Sequence, residues 1–164
     1  HSFLNVIQWY EGFCRIKYPT SNEDKEVFES KIENIVNQVS DCEDKKFIKD
    51  ITQFSYESPL NKQLKKLLND FSLKDILSIN SKNLDSLIFY IIENRNKLTH
   101  PTQVSNLNYG QLIALKEILK HFTYIILIKT LKLENDTNKV KKIKEDIKHY
   151  YAQFIENKTE NNEV

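Results

Sequence analysis

Turn-forming residues are scarce in this chain, with two glycines and three prolines among 164 residues. Sandwiches and barrels need many tight turns, so the shortage argues against both. Long apolar runs are missing too: Tyr124–Ile128 is far shorter than the roughly 18 residues a membrane-crossing helix requires, so no membrane partner is expected. Cysteine is limited to Cys14 and Cys42, without CxxC spacing. Isolated thiols of this kind suit a reducing, cytoplasmic setting in which a Cys serves as a small apolar residue. No Gly-rich phosphate loop, GxSxG, HExxH or paired cysteines occur, so no cofactor and no metal site is expected. An excess of either charge is absent as well. The formal net charge is +1, and any contact with nucleic acid must come from local patches.

Helical periodicity runs through nearly all of what remains. Phe3, Ile7, Tyr10 and Cys14 step by three and four, as do Phe28, Ile32, Ile35 and Val39. Leu60, Leu64, Leu67 and Phe71 repeat the pattern, and so do Val140, Ile143, Ile147, Tyr150 and Phe154. Ser58-Pro59 reads as an N-cap followed by proline in the first helical position. Pro19 and Pro101 each stop a helix. The pattern predicts an all-α bundle with helices at roughly 2–18, 23–40, 43–54, 59–70, 73–79, 83–99, 109–133 and 137–156. Residues 1–156 make a single domain, and 157–164 form a polar, disordered tail. The first residues read as a mid-protein start, so the expected context is the C-terminal part of a larger protein.

Of 24 basic side chains only Arg15 and Arg95 are arginine. Arg95 falls on the apolar stripe Leu84, Ile88, Ile91 and Leu98 of the helix at 83–99. A guanidinium there needs an anion, a set of acceptors or a wet interface. Leu87–Ile92 is apolar all round, which predicts a second cover on this helix, such as a partner protomer. Phe89, Ile92, Asn96 and His100 form a second line that runs from apolar to polar. Pro101 disfavours the α conformation for His100. In an unbroken helix His100 would stand about 140° from Arg95; ending the helix lets the imidazole turn towards Arg95 and Asn96. Three polar side chains can then meet one small anion. The alternative reading is an Arg paired to a core carboxylate and a His that caps a helix.

The stretch "RNKLTH", Arg95 to His100, resembles the R-N-x-x-x-H form of the Rx4–6H motif of the HEPN superfamily (higher eukaryote and prokaryote nucleotide-binding domains). "FLNVIQWYEGFCRIKY" is similar to the first helix of its ApeA-like group, with Glu11 and Arg15 after an apolar stretch. The resemblance implies a HEPN-like helical bundle. It also implies a metal-independent endoribonuclease that works as a homodimer, the two motifs facing each other across a two-fold axis. RNA would be the substrate, and products would carry a 2′,3′-cyclic phosphate. The wider setting it implies is the effector domain of a bacterial anti-phage defence protein whose N-terminal part acts as sensor. In that reading His100 is the general acid or base, Arg95 grips phosphate oxygens, and Asn96 orients one or the other. Glu11 and Arg15 would support the motif helix, with Glu11 touching Arg95, or else form an ordinary i, i+4 ion pair. Thr99 and Tyr109 would line the pocket. Two rival readings are a non-catalytic HEPN module for dimerisation or RNA binding, and an unrelated helical interaction domain.

Further along, Lys139, Lys141, Lys142, Lys144 and Lys148 lie beside His149, Tyr150 and Tyr151. This helix could track an RNA backbone or simply present a solvated face. The same two readings apply to Lys62, Lys65 and Lys66. His121, without a ligand partner at i+4, reads as structural.

Overall fold

A computed structural model describes residues 2–52, 59–100, 105, 107–133 and 136–159. Among these are eight α-helices and no strands: α1 (Phe3–Lys17), α2 (Asn22–Gln38), α3 (Cys42–Thr52), α4 (Leu60–Asp70), α5 (Leu73–Leu77), α6 (Ser81–Thr99), α7 (Tyr109–Thr130) and α8 (Thr137–Thr159). No helix among the described residues is long and apolar enough to cross a membrane.

Central to the bundle is α7. Asn108 starts it with a reciprocal cap: its side chain accepts from the Gln111 N–H at 2.8 Å, and its own N–H donates to Gln111 Oε1 at 3.0 Å. Ala114, Leu115, Ile118, Leu119, Phe122, Ile125 and Ile126 are buried along its length. Stripes on the other helices close over them. Phe3, Ile7, Tyr10 and Cys14 of α1 are buried as the spacing predicts, and so are Ile143, Ile147 and Phe154 of α8. Pairing is most extensive between α7 and α8, and α1 packs against α4, α6 and α7. The α2–α3 hairpin packs mainly on itself, and α3 buries no residue.

Two details differ from the periodic pattern. In α2 the buried position is Val36, while Ile35 is half exposed. In α6 the buried face runs through Leu84, Leu87, Ile88 and Ile91 to Asn94, whereas Leu98 is 36% exposed. The returning chain at Ser105 and Leu107 covers the Asn94 side of the last turn and leaves the Leu98 side open. Pro59 occupies the N-cap of α4 rather than its first turn, and Ser58 lies outside the described residues. Helix α8 continues to Thr159, past the expected end near 156; residues 160–164 lie outside the described ones.

Glycine scarcity leaves a mark on the turns. Ser72, Ser78 and Lys132 adopt positive φ (63°, 55° and 55°), a left-handed conformation that an L side chain takes at a cost of roughly 1 kcal/mol each. Ser72 and Ser78 bracket the five-residue α5, so both sharp turns around it are made without glycine.

Cys14 is sealed in the core while Cys42 is exposed. Burial, and after it the Glu11 carboxylate, push the Cys14 thiol up to about 11 from 9.0. A raised folded-state pKa contributes stability that is complete below about 9 and lost as pH rises towards 11. At pH 8 a thiol reagent is therefore expected to label Cys42 in the native chain and Cys14 only in denaturant. Peptide mass spectrometry checks this, and equal labelling of both would contradict the packing of α1.

Candidate functional site

The last two turns of α6 carry the motif, and α1 supplies its support. Arg95 Nε donates to Glu11 Oε1 at 2.8 Å, and Arg95 Nη1 donates to Asn96 Oδ1 at 3.1 Å. Using Nε on Glu11 fixes the plane of the guanidinium and leaves Nη2 without a hydrogen-bond partner among the described residues. The Arg95 side chain is 36% exposed and that of Glu11 19%, so the pair is neither sealed nor fully wet. Solvent screening at that exposure holds its contribution to stability to about 1 kcal/mol or less, and aiming the fork is its larger effect.

His100 stands where α6 ends. Its φ of −109° and ψ of 117° are extended, and its N–H still donates to the Lys97 carbonyl at 3.2 Å. The backbone thus leaves the helix at His100, as a following proline demands; Pro101 itself lies outside the described residues. The imidazole is exposed and makes no hydrogen bond to Arg95, Asn96 or any other described residue. Thr99 faces solvent and donates from Oγ1 to the Asn96 carbonyl at 2.8 Å, one turn back on the same helix. Tyr109, in the first turn of α7, is 80% exposed. Arg15 lies one turn beyond Glu11 on an exposed part of α1.

The structure therefore brings Glu11, Arg95 and Asn96 into one hydrogen-bonded set, with His100 five residues past Arg95 at the open helix end. It does not bring the lysines of α8 to that set. Lys139, Lys141, Lys142, Lys144 and Lys148 are all exposed, and Lys141 lies 4.0 Å from Glu145 on its own helix. Helix α8 meets α6 at Phe154 against Tyr90, ring centroids 5.7 Å apart, and the lysines precede that contact. His121 is structural: its Nδ1 lies 2.9 Å from the Glu117 carbonyl and its Nε2 3.7 Å from Asp146 Oδ2.

Asn94 escaped the sequence reading. It is completely buried, donates from Nδ2 to the Tyr90 carbonyl at 2.8 Å and accepts from the Ser105 hydroxyl. Ser105 Oγ in turn accepts from the Leu107 N–H at 3.0 Å. This relay pins Ser105 and Leu107 onto α6. The signal was present in its place on the Leu87–Ile91 side of α6, where an apolar residue is expected.

A family model described as Apea-like HEPN matches residues 4–137. The matched span holds α1 to α7 and all four residues of the set, and it ends where α8 begins. No curated protein and no solved structure matches the chain.

Two substitutions separate orientation from scaffold. Asn94→Leu removes the Asn94–Ser105 hydrogen bond, leaves the Ser105 hydroxyl the Leu107 carbonyl at 3.1 Å as acceptor, and is expected to cost about 0.5–1.5 kcal/mol. Arg95→Ala is expected to cost about 1 kcal/mol or less, against roughly 3–5 kcal/mol for breaking a fully buried pair. Urea denaturation measures both, and a large loss for Arg95→Ala would recast the pair as structural.

Proposed function

The chain belongs to the Apea-like HEPN family, and from that membership together with the Glu11–Arg95–Asn96 set beside His100 we propose that it is a metal-independent endoribonuclease domain. The carrying observation is that Glu11 holds Arg95 by Nε alone, which leaves the Nη2 edge available next to an exposed imidazole. Family membership sets aside the reading of an unrelated helical scaffold.

Cleavage of RNA by its own 2′-hydroxyl needs a base for the 2′-OH proton, positive charge at the crowded phosphorus and an acid for the departing oxygen. As the O2′–P bond forms and the P–O5′ bond breaks, one proton leaves O2′ and another is delivered to O5′. The products are a 2′,3′-cyclic phosphate and a 5′-hydroxyl. His100 is the proton carrier of the set. Arg95 supplies a planar fork that stays charged and can take two phosphate oxygens, which a lysine could not do in the same geometry. Asn96 steadies Arg95 through Oδ1 and keeps its amide N–H groups for the phosphate or the imidazole.

Two such sets suit this chemistry better than one, since base and acid can then come from two copies of His100. The outer face of α6 supports a homodimer: Phe89 is 60% exposed, Ile92 is partly exposed and Asn96 continues the same line. An isologous contact along that line would place each His100 near its mate. In the wider setting we propose, the domain is the effector of a bacterial defence protein in the cytoplasm, restrained by a sensor part of the same protein.

Incubation of the purified chain with single-stranded and hairpin RNA in EDTA tests the activity. Cleavage with cyclic phosphate ends and a bell-shaped pH profile is expected, and His100→Ala and Arg95→Ala should each lower the rate by about 100-fold or more. RNA binding without cleavage in the wild type would point to the non-catalytic module. Cleavage untouched by both substitutions would overturn the assignment.

A further inference from the structure

The end of α1 and the start of α4 enclose a cavity of about 590 Å3, lined by the Tyr18–Ser21 turn together with Asp24, Lys62, Gln63 and Lys66. Gln63 is 7% exposed, yet its side-chain amide has no hydrogen-bond partner among the described residues. Among the described residues no side-chain polar atom sealed from solvent lacks a partner, so this amide keeps contact with solvent, and Gln63 lines the cavity. The amide is therefore a polar group at the floor of the cavity with its hydrogen-bonding capacity open to a ligand.

Charge in the wall points to the ligand class. On α4, Lys65 is paired with Asp85 at 2.7 Å, whereas Lys62 and Lys66, one turn apart on either side of it, form no ion pair among the described residues. The Lys66 ammonium lies 4.5 Å from the centre of the Tyr18 ring, and the Tyr18 hydroxyl donates to Asp70 Oδ2 at 2.5 Å, which fixes that ring in the wall. Asp24 accepts from Ser21 Oγ at 2.6 Å and can still accept from a hydroxyl or amino group on an organic ligand.

We propose that this cavity binds a phosphomonoester. Two ammonium groups against the single Asp24 carboxylate leave the wall net positive, which favours a group that carries close to −2 at neutral pH. Lysine serves phosphate as a point charge, and the two lysines of this wall are of that kind. The Gln63 amide and the Thr20 hydroxyl add neutral donors for the remaining oxygens. The volume falls within the roughly 300–1,000 Å3 of small-molecule sites, which leaves room for the organic part. Glu11 and Tyr18 are seven residues apart on and just past α1, about 10 Å along its axis, so this is a different place from the motif.

The inference does not depend on the ribonuclease reading, and its test is run in an Arg95→Ala background so that the motif cannot supply the phosphate contact. AMP, at constant ionic strength, is expected to shift the Gln63 side-chain amide resonances saturably, and adenosine is not. Lys62→Gln and Lys66→Gln, each confirmed as folded by circular dichroism, should weaken AMP binding tenfold or more. A 5′-phosphorylated RNA tetramer that binds at least tenfold tighter than AMP would identify a strand terminus as the source of the phosphate, and weaker binding a free metabolite. Equal shifts with adenosine, no shift with either compound, or unchanged affinity in both lysine variants would overturn the proposal.

Discussion

Tyr10 is completely buried, and its hydroxyl donates to the Leu119 carbonyl at 2.8 Å, which ties the middle of α1 to the middle of α7. Thr123 Oγ1 donates to the same carbonyl at 3.0 Å, so the acceptor is saturated and the contact is specific in register as well as apolar. Burial pushes the Tyr10 phenol above its ordinary range, which favours the neutral donor form. Glu11, the next residue, is turned about 100° round the helix from Tyr10 and emerges on the side where α6 runs. The position of the Arg95 clamp is therefore inherited from the packing of α1 on α7. Within the last turn of α6 the guanidinium touches Asn96 through Nη1, and Glu11 adds the second anchor through Nε.

Much of this was legible in the chain. Scarce glycine and proline, with apolar residues at steps of three and four, were enough for an all-α bundle whose helices begin and end within a few residues of the observed ones. Helix α1 is the clearest case, because Phe3, Ile7, Tyr10 and Cys14 are all buried. The Arg95 environment was also readable in kind, since a charged fork on an apolar stripe needs an acceptor, and Glu11 is that acceptor. Periodicity shows which face of a helix is covered but not how far along its axis the cover extends. For that reason Leu98 and Ile35, apolar and in phase, came out exposed, and Val36 took the buried place in α2. Asn94 and Gln63 were illegible for a related cause. Each is a polar residue in a buried position whose surroundings come from an aperiodic segment, the Ser105–Leu107 return for one and the Tyr18–Ser21 turn for the other.

The same shortage of glycine that excluded a β architecture also shaped the joints between helices. Ser72 and Ser78 carry left-handed turns that glycine would make without strain, and buried Leu73, Ile76 and Leu77 sit between them. Packing of these three side chains offsets the backbone cost, so α5 is held by its contacts with α4 and α8 more than by its own helical preference. Beyond α5, helix α6 packs against α4 and α1.

Contacts that define the site span long stretches of chain, with 84 residues between Glu11 and Arg95 and 109 between Tyr10 and Leu119. During synthesis α1 leaves the ribosome before α7, and the surface it needs is translated about a hundred residues later, about 5–20 s at ordinary elongation rates. Until then α1 has no Leu119 to register against, and the guanidinium has no carboxylate held in place to receive it. A growing polypeptide surrounded by ribosomal RNA thus carries the parts of the clamp without the clamp itself, and the topology delays its assembly until α7 has been made.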